Sequence, residues 1–486
     1  MASTQLQQEA FDEERREVSL NDAPPSPRPA PKNQGAFRAL GHRNFRLFWT
    51  GQLISLIGTW AQNLAQGWLI VLLVDPVARA LLRHGGMAAG GAAQTPSAAV
   101  EALANVYSGW VNFAGGLPIF AFTLLAGVVA DRVDKRKMLL VTQSVLILCA
   151  LGLGLLCATG RVEVWHVIFF AALSGIAASF DMPVRQSFIV ELVGREDVPS
   201  AVALNSSVFN AARALGPAVA GLLLAARVSI GAAFLGNAFL SCAVIIGLLM
   251  IRLPQRDAVP QASADNTVRG VWDNMREGFR FVKSHPTVRS LVLLVGSFGT
   301  FAFSFNVLIP VFVRYTLLPH ATDATQVKAF GFMETVRGVG ALGGALTVAL
   351  LGNARRQRNM LITGSLLATV FLVVFGLSRT LWVAYATMTI VSYGFVLCFA
   401  TSNTLMQLSV PDQLRGRVMS IYTLMFIGTM PFGSLMAGWL ARFLGAPTTI
   451  LACALVSLVT TLVLAFRPNG LRTLSLPEGR AMPSTP

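Results

Sequence analysis

Stretches of about 20 or more apolar residues recur from Phe45 almost to the C-terminus, separated by short polar or Gly/Pro-marked connections. A helix of that length crosses the hydrocarbon layer of a bilayer. Twelve such runs can be counted, with cores near 45–73, 103–130, 138–159, 163–186, 201–225 and 231–252, and then, past a polar linker, 288–315, 329–352, 360–377, 381–408, 417–443 and 447–466. A membrane barrel would instead show alternating segments of about ten residues, and these runs are twice as long and apolar throughout. The chain is therefore expected to be an all-α membrane protein of twelve transmembrane helices. Composition agrees, since 54% of the 486 residues are hydrophobic and only 13% charged.

The net charge of +15 suits nucleic acid, anionic lipid or the topology signal of a membrane protein, and placement decides among them. If the N-terminus lies inside, the inner connections hold roughly 18 Lys and Arg and the outer ones roughly eight. That bias places both termini in the cytoplasm and predicts the inner membrane, with lipid rather than nucleic acid as the large partner. Residues 1–44 are polar and Pro-rich at 24–31, without the apolar core of a cleaved signal, and read as a disordered cytoplasmic tail; 467–486 reads as a short basic cytoplasmic tail. The five cysteines, Cys149, Cys157, Cys242, Cys398 and Cys453, sit inside apolar runs with no metal-ligand spacing and act as small hydrophobes.

Two internal comparisons indicate duplication. A slide of 217 residues lays Gly216 and Gly221 on Gly433 and Gly438, Val193 on Val410 and Gly127 on Gly344. Matching helix one to helix seven needs about 240, the excess being taken up by a long Ala/Gly-rich outer loop from Asp75 to Val100. Two parallel six-helix halves follow, 45–252 and 288–466. Within the 253–287 linker, Val268, Val271, Trp272, Met275, Phe279 and Val282 share one face of an amphipathic helix. That helix is expected along the cytoplasmic membrane surface, with a regulatory partner as the alternative.

The loop after the second run reads Gly127-Val-Val-Ala-Asp131-Arg132-Val-Asp134-Lys135-Arg136-Lys137. It resembles the major facilitator superfamily signature G-x-x-x-D-R-x-G-R-R/K, with Asp134 where the family usually has Gly. Phe180-Asp181-Met-Pro183-Val-Arg185-Gln186, the stretch from Glu191 through Leu204-Asn205-Ser206 to Ala212-Arg213-Ala-Leu-Gly216-Pro217-Ala-Val-Ala-Gly221, and Val410-Pro-Asp-Gln-Leu-Arg415-Gly416-Arg417 running into Pro431-Phe-Gly433 are similar to one branch of that superfamily. The branch is that of enterobactin exporter, macrolide efflux and transmembrane secretion effector proteins. The likeness spans residues 37–466.

The resemblance implies several roles. Asp131 would contact the start of helix eleven near Arg415 and Arg417 and lock an outward-facing state. Asp181 and Arg185, four apart on one helix face, would join Asp131 and Arg136 in an inner gate, or else form a simple helix-end ion pair. Gly216-Pro217-x-x-x-Gly221, with Arg213 one turn earlier, partly resembles the antiporter motif of exporters. There Pro217 removes a backbone hydrogen bond and the small residues permit close helix contact. In the superfamily helices one, four, seven and ten line the cavity, which makes Gln62, Asn63, Gln66, Asn306 and Asn403 candidate substrate contacts, each also able to serve as an interhelical hydrogen bond.

A charge at mid-bilayer costs about 2.5 to 3.5 kcal/mol on insertion scales, so each one needs a reason. Glu334 and Arg337 stand one turn apart in helix eight. They are the candidates for coupling proton movement to transport, with a permanent ion pair as the alternative. Gly338-x-Gly340-x-x-Gly343 matches a dinucleotide fingerprint by letter only, lying in an apolar helix with no preceding strand. No nucleotide loop, catalytic constellation or metal cluster is visible, so neither enzyme activity, cofactor nor metal is expected. The function expected is export of a small amphipathic molecule, siderophore or drug, by a monomer using proton antiport and alternating access. An importer or symporter on the same fold and a non-transporting membrane receptor are the alternatives.

Overall fold

The computed structural model describes residues 37–83, 96–130, 133–194, 196–252, 268–352, 354–467 and 471. Most of both expected tails, the middle of the first outer loop and the start of the linker lie outside these residues, as do Asp131 and Arg132 of the signature loop. Among the described residues there is no strand. The first half contains α1 (Arg43–Arg83), α2 (Pro96–Ala130), α3 (Lys135–Ala158), α4 (Val164–Val193), α5 (Val198–Ala225) and α6 (Ile230–Met250). The second contains α7 (Pro286–Leu317), α8 (Asp323–Leu351), α9 (Ala354–Leu377) and α10 (Leu381–Ser409). In α11, Asp412–Phe426 continues through 430–444, and α12 is 446–466.

Only a few residues around Gly445 and Pro447 separate the last two runs, and backbone conformation makes the α11–α12 corner there. Gly445 has φ 77°, a left-handed value that glycine adopts without a side-chain penalty. Several helix starts are fixed by side chains: Ser229 accepts from the amide of Ala232 and Thr322 from that of Thr325. Asp134 is explained in the same way, because its Oδ1 accepts the Lys137 amide at 3.1 Å and caps α3, a task glycine has no side chain to perform. Helices overrun the apolar cores, as α1 does at its far end and α9 at its start, because the apolar run measures hydrocarbon thickness whereas the helix continues into the interface. With an even number of crossings both chain ends meet one face, called near; the other is called far.

The duplication appears as matched close contacts. A Cβ built on Gly216 of α5 would stand 2.5 Å from the Trp60 Cβ of α1, and one on Gly433 of α11 would stand 2.1 Å from the Thr300 carbonyl oxygen of α7. Trp60 and Thr300 are themselves 240 residues apart, the slide that relates helix one to helix seven. The halves meet through α5 against α8, where the same construction on Gly221 lies 2.7 Å from the Gly331 Cα, and through α2 against α11, where Gly438 faces Asn105 and Gly109. Trp68 of α1 stacks on Phe330 of α8, and the Arg314 guanidinium of α7 lies 5.7 Å from the Trp68 ring centre. These contacts lie toward the far ends of their helices, so the far side is closed.

One rod departs from the regular helix the sequence suggests. In α7 the α-helix Pro286–Thr300 gives way to 3-10 turns over Ala302–Leu308 and to π turns over Phe312–Leu317. Pro310 has no N–H for the carbonyl one turn back, while Ser304 Oγ and Asn306 Nδ2 each donate at 2.6 Å to carbonyls of their own turn, Phe301 and Phe303.

The amphipathic linker segment forms a helix, Val268–Ser284, which rests on the near end of α11. Gly278 sits against the Arg417 backbone and the Ile421 side chain, and Arg417 pairs with Glu277. Val282 is buried while Phe279 is exposed.

Candidate functional site

A cavity of about 400 Å³ lies at mid-depth between the halves. Asn63 and Gln66 enter it from α1, Ser108 and Asn112 from α2, Arg213 and Pro217 from α5, Asn306 from α7, Glu334 and Arg337 from α8, and Ser392 from α10. Trp60, Phe303, Phe330 and Phe395 supply aromatic wall. An apolar enclosure with a few convergent polar groups is the usual composition of a small-molecule site.

The charged centre joins two groups that the sequence kept apart. Arg337 donates to Glu334 and to Asn306, and its guanidinium carbon sits 5.1 Å from the Phe305 ring centre. A coupling candidate and a substrate candidate thus share one guanidinium, and Asn306 gives Arg337 its oxygen while bonding the Phe303 carbonyl with its nitrogen. Arg213, from the opposite half, is near enough to interact electrostatically with both Arg337 and Glu334. Two guanidiniums and one carboxylate therefore line one cavity at the seam.

Two substrate candidates stand elsewhere. Gln62 faces α6, where its Oε1 accepts from Asn237 Nδ2 at 2.6 Å. Ser241 bonds Asn237 in turn and Ser55 bonds Ser241, a polar ladder that fastens α1 to α6. Asn403 accepts from Gln407 at 2.6 Å on an exposed part of α10. The lining helices also differ from the family pattern: α4 supplies none of the lining residues, and α2, α5 and α8 do. Ser108, Asn112 and Ser392 escaped sequence reasoning because a lone Ser or Asn in an apolar helix carries no signal of the direction it faces.

The expected inner-gate residues occupy three separate settings. Asp181 is buried and saturated: Arg185 donates to Oδ2 at 2.6 and 2.9 Å, while Thr142 and Gln143 of α3 donate to Oδ1 at 2.9 and 2.8 Å. Arg136 donates to the Leu248 and Leu249 carbonyls at 2.7 and 2.9 Å, satisfying the end of α6 and placing a cation at its negative pole. Arg417 is held by Glu277 of the linker helix. Gly127 falls in the last turn of α2, and the Asp131 and Arg132 expectations lie outside the described residues.

Two helical halves around a polar cavity inside a membrane define a solute transporter of the major facilitator superfamily. The chain belongs to the transmembrane secretion effector family of that superfamily, whose profile matches residues 96–478. It is 27% identical over 378 residues to the multidrug efflux pump Tap of Mycolicibacterium fortuitum, covering 75% of this chain and 88% of that one. It is 25% identical over 364 residues to the staphyloferrin A transporter of Staphylococcus aureus, with coverages of 74% and 87%, and 25% identical over 352 residues to the enterobactin exporter EntS of Escherichia coli, with coverages of 71% and 78%. Among solved structures the nucleoside transporter NupG superposes with a TM-score of 0.62 at 12% identity, covering 87% of this chain and 98% of that one. A bacterial homologue of the lysosomal transporter Spinster gives 0.57 at 13% identity, covering 85% and 96%. The protein is thus a multi-pass membrane transporter.

Proposed function

We propose that the protein exports amphipathic small molecules, of siderophore or drug type, across the cytoplasmic membrane with both termini inside. Transport proceeds as a monomer by alternating access of the halves 45–252 and 288–466, in exchange for protons. The carrying observation is Glu334 at the seam, paired with Arg337 while the far side is closed. Glu334 is assigned to carry the coupling proton, and Arg337 is the ion-pair partner it exchanges for that proton when the halves rearrange. Asn63, Gln66 and Asn306 offer hydrogen bonds to cargo, and the aromatic wall accepts its apolar part. One proton crossing 100 mV and one pH unit releases about 2.3 plus 1.4 kcal/mol, enough for roughly a 500-fold gradient of a neutral solute.

Proteoliposomes with an acidic lumen test the reading, with staphyloferrin A, enterobactin and a fluorescent amphipathic dye offered outside. Accumulation driven by the gradient, lost in Glu334→Gln while substrate-for-substrate exchange persists, is the outcome expected. Accumulation only under the reverse gradient would make the protein an importer, and proton-driven accumulation by Glu334→Gln equal to wild type would remove the coupling role.

A further inference from the structure

Glu101, Asn105, Ser108 and Asn112 recur along α2 at intervals of four, three and four residues, and so line one face from the far end to mid-depth. At the far end Glu101 Oε1 accepts the Ala446 amide at 3.3 Å, holding the start of α12 from the other half. At mid-depth Ser108 and Asn112 reach the cavity. Asn105 lies between them, fully buried against α11, and a Cβ on Gly438 would stand 2.6 Å from its carbonyl oxygen.

Among the described residues neither the Oδ1 nor the Nδ2 of Asn105 has a hydrogen-bond partner, and neither does the Ser108 Oγ. The facing stretch of α11 presents the Ser434 carbonyl oxygen, Leu435 and Gly438 near Gly109. Orphaned polar atoms are rare in interiors and unfavourable, and an apolar residue of similar size would relieve them. A helix contact that keeps three such atoms favours its own separation, because parting the helices returns those atoms to water.

We infer that this stripe on α2 is the polar wall of the exit path. When α2 and α11 part, it forms a second substrate station between the cavity and the far face, recognising hydroxyl, amide or carboxylate groups of the departing molecule. While the far side is closed, its unsatisfied groups weaken the seal. The assignment rests on the export reading, which makes the far face the exit, and labelling and exchange test it apart from proton-driven accumulation.

The test uses Asn105→Leu and Ser108→Ala in the full-length chain, each combined with Ser434→Cys as a reporter on α11. Site-resolved mass spectrometry follows maleimide labelling at 434 in liposomes, and exchange of a fluorescent amphipathic dye gives turnover. Removing the orphaned amide is expected to slow labelling by about tenfold and to lower turnover, with dye affinity from the near side unchanged. Asn105→Ser, which keeps a polar group, should label and turn over at close to the wild-type rate. Labelling of Asn105→Leu at the wild-type rate, or turnover undiminished, would overturn the inference. Should Asn105→Leu fail to fold, Ser108→Ala decides: several-fold slower labelling supports the station, and an unchanged rate rejects it.

Discussion

Replacing Gly221 with Ala would place a methyl carbon 2.7 Å from the Gly331 Cα, whereas carbon atoms pack best at about 3.5 to 4.0 Å. The obstacle is backbone, so rotamer change offers no relief and α5 must move from α8 by about 1 Å. Overpacking of this kind costs about 1 to 3 kcal/mol. A conformation in which the far ends have parted lacks the contact and escapes the cost. The penalty therefore appears as a shift of about 5- to 150-fold toward far-side opening rather than as general unfolding. Spin labels at Val228→Cys, after α5, and His320→Cys, between α7 and α8, would report it once the five native cysteines are replaced. The double electron–electron resonance distance distribution should gain a longer component. Gly331→Ala should act similarly, and the two together should shift less than the sum, since one separation relieves both clashes. A distribution unchanged in Gly221→Ala, with the protein folded and monodisperse, would refute the claim that this crossing closes the far side.

Three further outcomes follow from the side-chain partners. Arg337→Met strands Glu334 in a partly buried site and should cost about 3 kcal/mol, read as a lowered melting temperature that adding Glu334→Gln partly restores. Gln62→Leu should cost about 1 to 3 kcal/mol of stability through the abandoned Asn237 amide while leaving substrate affinity intact, whereas Gln66→Leu should alter the KM for transport with little change in melting. Arg417→Ala removes a half-exposed pair worth at most about 1 kcal/mol, so melting should hold while hydrogen exchange rises across 275–284, showing the linker helix released from α11.

The crossings were legible because hydrophobic length is a one-dimensional property that survives without knowledge of neighbours. The duplication was legible for a related reason: glycines at tight crossings are fixed by backbone approach, so Gly216 and Gly433 occupy equivalent contacts in both halves. Which side of a helix a polar residue faces depends on its neighbours, and there the sequence was weaker. Gln62 and Gln66 lie four apart in one helix, yet the first bonds α6 and the second lines the cavity. The Glu334–Arg337 pair could be read from its spacing of three, but its tie to Asn306 joins residues 31 apart that only the meeting of α7 and α8 reveals. Asp134 carried a local signal, a cap at a helix start, that the motif comparison treated as a departure.

The seven residues Ala302–Leu308 of α7 wind at three per turn with about 2.0 Å rise, against 3.6 and 1.5 Å in an α-helix. Rewinding them to the regular pitch would shorten the rod by about 3.5 Å and rotate one end against the other by about 140°. Because Asn306 sits inside that stretch and grips Arg337, such a screw motion would pull the guanidinium out of register with Glu334. A change of thread in a single helix could thus transmit the state of the second half to the Glu334 carboxylate, with no counterpart in α1, which remains α-helical throughout.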